Sequence, residues 1–138
     1  MIERVIERFA GTARWEERYG YCRVVRAGDW ALTAGTTATG PDGVLHPGDP
    51  YQQTLAAFGI ALDALLAAGV AVEQVVRTRM YVVDIDHQDQ VGAAHSDLFG
   101  AVRPVATMVQ VGALADPEHL VEVEVEAYVG QGSGTVAR

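Results

Sequence analysis

The sequence predicts an α+β domain in which two helices cover one face of a β-sheet. Three observations carry this. Residues 49–69 place apolar side chains at helical spacing. Residues 75–83 form a run rich in β-branched residues. Residues 120–128 alternate valine with glutamate, as a strand with one buried and one polar face does.

The first strand is predicted at residues 2–8. Residues 21–27 and 30–36 read as two strands joined by the tight turn Gly28-Asp29, and Pro41-Asp42-Gly43 is a second turn. A helix then opens with Asp49 as N-cap and Pro50 in its first turn, and Gly69 closes it. Leu55, Phe58, Leu62, Leu65 and Leu66 are its expected inner face. After the strand at 75–83, residues 86–99 suit a second helix with Val91, Ala94, Leu98 and Phe99 inward. Strands at 105–111 and 120–128 complete the order β-β-β-α-β-α-β-β, which suits a two-layer sandwich with both helices on one side.

The chain has 138 residues, of which 49% are apolar, enough for one domain with a real core. That domain is expected over 1–129, with a Gly- and Ser-rich flexible tail at 130–138. A net charge of −8 repels phosphate backbones and anionic membranes, so nucleic acid is a disfavoured partner. The one cysteine, Cys22, excludes an internal disulfide and suits a reducing compartment. No apolar run has the length of a membrane span and the N-terminus has no secretory pattern, which together point to a cytoplasmic protein. His46, His87 and His119 are isolated, without metal-ligand spacing. Trp15 and Trp30 read as core aromatics, with a cleft edge as the alternative place, and Cys22 as a small buried residue on the helix side.

Alternation also describes the sheet face that the helices leave uncovered. Glu122, Glu124 and Glu126 lie opposite Val121, Val123 and Val125. Arg77, Arg79 and Tyr81 share one face of their strand, with Val76, Thr78 and Met80 on the other. Tyr21, Arg23 and Val25 share a face. Two readings stay open: a solvated face laced with ion pairs, each contributing under about 1 kcal/mol, or an oligomer interface with polar clefts.

The segments TAGTTATGPDG, DPYQQTLAAFGIALDALLAAG, RTRMYVVDI, AHSDLFG, RPVATMVQV and LVEVEVEAYV occur in this order between residues 15 and 129. Together they resemble the Rid family (YjgF-type, reactive intermediate deaminases, also L-PSP endoribonuclease-like). The resemblance implies a chorismate-mutase-like fold and a homotrimer whose sheets form a central barrel, with three small-molecule clefts between subunits. It also implies hydrolysis of 2-imino and 2-enamino acids to 2-oxo acids and ammonia, with no metal or organic cofactor. Matched residue by residue, the tyrosine at the cleft mouth is Tyr21, the backbone-contributing glycine is Gly35, and the glutamate near the attacking water is Glu124. The family cysteine is Met108, the second-helix asparagine is Gly92, and the arginine that grips the substrate carboxylate is Ala106.

Imine hydrolysis needs a carboxylate near water, the role the resemblance implies for Glu124 with Tyr21 as the second catalytic candidate, and oriented backbone N–H groups, expected near Gly35 and Met108. Alanine at 106 leaves a substrate carboxylate unpaired, so the chain fits an arginine-lacking subgroup acting on an imine, enamine or related reactive metabolite. The alternative is a non-catalytic, ligand-binding or regulatory trimer. Arg23 and Arg79 are the candidates to replace the lost charge, with ion pairs to the glutamate row as their competing role. Arg103 is read as lying on the wrong face of its strand. His95 is a candidate cleft residue, with helix packing as its competing role.

Overall fold

The computed structural model describes residues 5–130 of the chain. Its organising element is β9 (Val121–Tyr128). Val121, Val123, Val125 and Ala127 are fully buried on one side, while Glu122, Glu124 and Glu126 stay half-covered on the other. One edge of β9 pairs antiparallel with β7 (Val75–Val82). The other pairs with β3 (Trp30–Thr33) and the two-residue β4 (Thr36–Thr37). β3 continues to β2 (Val24–Ala27) and β1 (Ile6–Phe9), and β8 (Val105–Gln110) runs parallel to β7. The sheet order is β1-β2-β3-β9-β7-β8, so β8 forms one edge. A separate hairpin joins β5 (Thr39–Gly40) to β6 (Gly43–Val44).

Two long helices pack on the valine face, as the pattern predicts, giving the α+β sandwich. α2 (Pro50–Ala67) is capped by Asp49, whose carboxylate accepts from the Gln52 N–H at 3.0 Å. It approaches the sheet through Ala57, Phe58, Ala61 and Leu65. Leu66, expected inside, is 66% exposed, because the helix turns its alanines rather than its last leucine to the sheet. α3 (Gln88–Phe99) buries Val91, Ala94 and Phe99 as expected, but the segment from Asp86 starts as a 3-10 turn, Ile85–His87. Gln53 is fully buried with both its amide atoms bonded: its Nε2 donates to the Glu118 carbonyl at 2.9 Å and its Oε1 accepts from Leu120 N at 2.8 Å. That amide fixes where the chain enters β9. Arg26 donates to the Ala68 carbonyl at 3.2 Å and so caps the negative end of α2.

Several boundaries differ from expectation. A short helix, α1 (Arg14–Tyr19), precedes the hairpin and closes at Gly20, which takes a positive φ of 79°. Six residues are too few to show a period. The strand expected from Tyr21 therefore begins at Val24, and the one expected through Thr36 breaks after Thr33 before resuming as β4. A register shift between Val75 and Arg77 buries Val75 and leaves Val76 37% exposed, so Val76 does not share the face of Thr78 and Met80. Trp30 lies on the uncovered face at 48% exposure, edge-on to Tyr128, rather than in the core. Trp15 and Cys22 are half-buried. The tail expected at 130–138 and the start of the first strand lie, apart from Gly130, outside the described residues.

Candidate functional site

The uncovered face carries a graded row of carboxylates. Glu126 takes a hydrogen bond from Arg79 at 2.6 Å and lies 3.6 Å from Arg77. Glu124 accepts from the Tyr81 hydroxyl. Among the described residues Glu122 has neither a hydrogen-bond nor an ion-pair partner. Burial raises its pKa, repulsion from Glu124 adds to that, and Arg23 opposes it. The hydrogen bond to Glu124 likewise raises the Tyr81 phenol, and the hydrogen bond to Glu126 raises Arg79. The ion-pair role weighed for Arg79 is therefore the one it has.

At the β4 end of this row stands the group that β2 and β4 position. Arg23 is buried, and its Nη1 donates to the Gly35 carbonyl at 2.8 Å and to Thr36 Oγ1 at 3.0 Å. Its Nη2 lies 3.6 Å from the Glu16 carboxylate, which α1 supplies. The partner expected from the glutamate row is replaced by a helix the sequence hid. Tyr21 sits at the end of α1, its ring centroid 5.8 Å from the guanidinium. A Cβ at Gly35 would lie 2.7 Å from Oε2 of Glu122, so a side chain there would push that carboxylate aside.

Ala106, Met108 and His95 belong to the other side. The parallel register sets Ala106 beside Thr78 and Met108 beside Met80, both of which are buried beneath the helices. His95 Nε2 lies 2.7 Å from Thr78 Oγ1, and its ring packs against Phe58 and Phe99. Burial lowers its pKa. The packing role weighed for His95 is thus real, yet the ring also borders a hollow of about 350 Å³ with Ser96, Phe99, Gly100, Arg103 and Pro104. Arg103, read from sequence as a strand residue on the wrong face, precedes β8 instead. It takes a positive φ of 58°, and its N–H closes α3 by donating to the Phe99 carbonyl at 2.8 Å.

The site residues read from the sequence therefore form two groups on opposite faces of the sheet. Tyr21, Arg23, Gly35 and Glu124 lie with the uncovered face, and Ala106, Met108 and His95 lie with the helix side of the edge strand. Glu122 and Tyr81 were absent from the sequence-derived site. Strict alternation placed both on the right face, but only the contacts separate the held glutamate from the unheld one. Among the described residues no three of His, Cys, Asp and Glu gather as a metal site, and no helix is long and apolar enough to cross a membrane.

Residues 12–129 match the family model described as Endoribonuclease L-PSP. The chain belongs to this L-PSP (YjgF/Rid) family. It is similar to Rv2704 of Mycobacterium tuberculosis, described as a member of the YjgF/YER057c/UK114 family, with a TM-score of 0.82 and 40% identity over 91% of this chain and 100% of that one. It is similar to the uncharacterized protein SCO2049 of Streptomyces coelicolor, 44% identical over 94% of this chain and 97% of that protein. It is also similar to YyfA of Yersinia pestis, described as of the conserved Rid family, with a TM-score of 0.80 and 27% identity over 91% of this chain and 100% of that one. The L-PSP neighbours share the mixed sheet-and-helix architecture that the alternation predicted. Membership supports a general deaminase- or hydrolase-like role on small molecules.

Proposed function

We propose that the protein is a cofactor-independent hydrolase of an imine, enamine or related reactive metabolite that lacks the usual carboxylate. Its clefts form between the subunits of a homotrimer. The observation that supports this best is the division of the site. One chain presents Tyr21, Arg23, Gly35 and Glu124 on the uncovered face and Ala106, Met108 and His95 on the helix side of edge strand β8. A neighbouring copy that brings its edge to this face joins the two groups into one cleft. Val105 and Val109 on that edge, and Trp30, Leu32 and Tyr128 on that face, are exposed apolar side chains of the kind an interface covers.

The chemistry asked of the cleft is small. Water adds to the imine carbon, a carboxylate takes its proton, and the nitrogen leaves as ammonia after protonation. Backbone N–H groups orient the substrate, and no redox step arises. Alanine at 106 removes the guanidinium that would pair a carboxylate, which favours uncharged or cationic substrates. The test compares two imines made in the cuvette: one released from benzylamine by an amine oxidase, the other a 2-imino acid released by an amino-acid oxidase. Faster release of benzaldehyde and ammonia, with little effect on the 2-imino acid, is the expected result. No acceleration of either by the intact assembly would leave the binding-only alternative.

A further inference from the structure

Two carboxylates stand side by side on β9, and they are not equivalent. Glu124 is the one that keeps the family position, yet its oxygen is engaged by the hydroxyl of Tyr81 on the neighbouring strand. That oxygen is already occupied by a donor from its own subunit, so it is less open to a substrate or water than an oxygen with no partner. Glu122, one repeat along the same face, pairs in the ladder with Tyr81 on β7 and with Thr37 on β4. Among the described residues its side chain meets no donor. It is half-buried, and its carboxylate lies against the Cα face of Gly35, where any side chain would displace it. Arg23 holds the carbonyl of that same glycine, so the backbone beside Glu122 is fixed by a buried guanidinium.

We infer that Glu122, rather than Glu124, is the carboxylate that meets the substrate and moves its protons, and that the Tyr81–Glu124 pair holds the neighbouring position. This inference rests on the proposed hydrolase reading. In the addition step Glu122 takes a proton from water as its oxygen bonds to the imine carbon. The C=N π pair moves to nitrogen, which takes a proton from solvent. In the collapse step protonated Glu122 gives that proton to nitrogen, the C–N bond breaks, and the hydroxyl proton returns to solvent as the C=O forms. The sum is imine plus water to carbonyl plus ammonia. The charged and titratable groups facing Glu122 are Glu124 on its own strand, Tyr81 on β7, and Arg23 before β2. The first disfavours its anion and Arg23 favours it. A carboxyl held above its ordinary value is better matched to shuttling a proton near neutral pH.

The experiment has two arms on the full-length protein. In the kinetic arm, with the imine from benzylamine, Glu122→Gln should lower kcat about 100-fold or more with KM little changed. It should also erase the acidic limb of the kcat–pH profile. Glu124→Gln should cost about tenfold or less and keep that limb. The reverse ranking overturns the inference. The second arm needs no turnover. Protein labelled with 13C at glutamate carboxyls is titrated with and without benzylamine, whose ammonium is a stable stand-in for the protonated imine. The Glu122 signal, assigned through Glu122→Gln, should titrate above the ordinary carboxylate value and move on addition of the amine. Movement of the Glu124 signal instead, or of neither, overturns the inference. If the wild type hydrolyses nothing but the Glu122 signal responds, the hydrolase reading falls and the assignment of the contact carboxylate stands.

Discussion

The Tyr81 hydroxyl donates to the Glu124 carboxylate across the β7–β9 ladder. The bond spans one diagonal step, since Tyr81 pairs directly with Glu122 and Arg79 with Glu124. It divides the glutamate row into a held member and an unheld one. Tyr81→Phe removes the donor and nothing else from the ring. The expected loss in denaturant unfolding is about 1 kcal/mol, the net worth of a hydrogen bond to a charged or neutral acceptor on a half-covered face. A loss well beyond that would mean the phenol anchors more than Glu124.

Glu122 gives a stability prediction of definite sign. Its folded pKa lies above the ordinary value of 4.5. The stability linked to its protonated form is complete below that value and is lost as pH rises through the folded pKa. Glu122→Gln keeps the neutral form at every pH. Its melting temperature should match the wild type near pH 4 and exceed it at pH 7 by about 3 °C. A variant that melts lower at pH 7 would show an ionised Glu122 with a favourable partner.

His95 acts in the opposite direction. Burial holds its pKa below the ordinary 6.5, so the folded state prefers the neutral ring. That contribution is complete above 6.5 and is lost as pH falls through the lowered folded pKa. His119, also lowered by burial, adds the same sign. Replacing both hydrogen-bonded partners, as Thr78→Val with His95→Phe, leaves no unsatisfied group. The double variant should lose less stability than the wild type between pH 7 and 5 in chemical denaturation. Equal losses would assign the acid sensitivity elsewhere.

Local signals decided what was legible from sequence. The alternation of β9 and the Asp49-Pro50 start of α2 are written in consecutive residues, and both were read correctly. Arg103 was misread because a positive φ at a non-glycine residue has no signature in composition. The ion-pair role weighed for Arg23 named the glutamate row, because its actual partner, Glu16, sits on a six-residue helix. Glu122 escaped notice for a further reason. Sequence placed three equivalent glutamates on one face, and only tertiary contacts to Arg77, Arg79 and Tyr81 make them unequal.

Ala106 permits a gain-of-function test. It is exposed on β8 and stands in register with Thr78, whose hydroxyl meets His95. An arginine there projects on the side of the His95–Arg103 hollow, where solvent-exposed space is available. Ala106→Arg should increase acceleration of 2-imino acid hydrolysis about tenfold, the return expected from one charged contact, and leave the benzylamine-derived imine nearly unchanged. A rise for both imines would show that the arginine reorganises the cleft rather than pairing a carboxylate.

The proposed trimer is tested most directly at the edge strand. Val105 and Val109 on β8 are 59% and 42% exposed in the single chain. Val105 pairs with Arg77 and Val109 with Tyr81, so both valines project with the uncovered face. An isolated domain would tolerate a charge at either position within about 0.5 kcal/mol, because an exposed site loses no packing. An interface would not, since two or three like charges would be brought together out of water around the symmetry axis. Wild-type protein should sediment as a trimer at micromolar concentration. Val109→Asp should shift it toward monomer with its far-ultraviolet circular dichroism unchanged. Because the site residues lie on both faces of one sheet, loss of the trimer should also abolish turnover while Glu122 and Glu124 remain in place. A monomeric wild type, or a monomeric Val109→Asp variant with full activity, would refute the shared cleft.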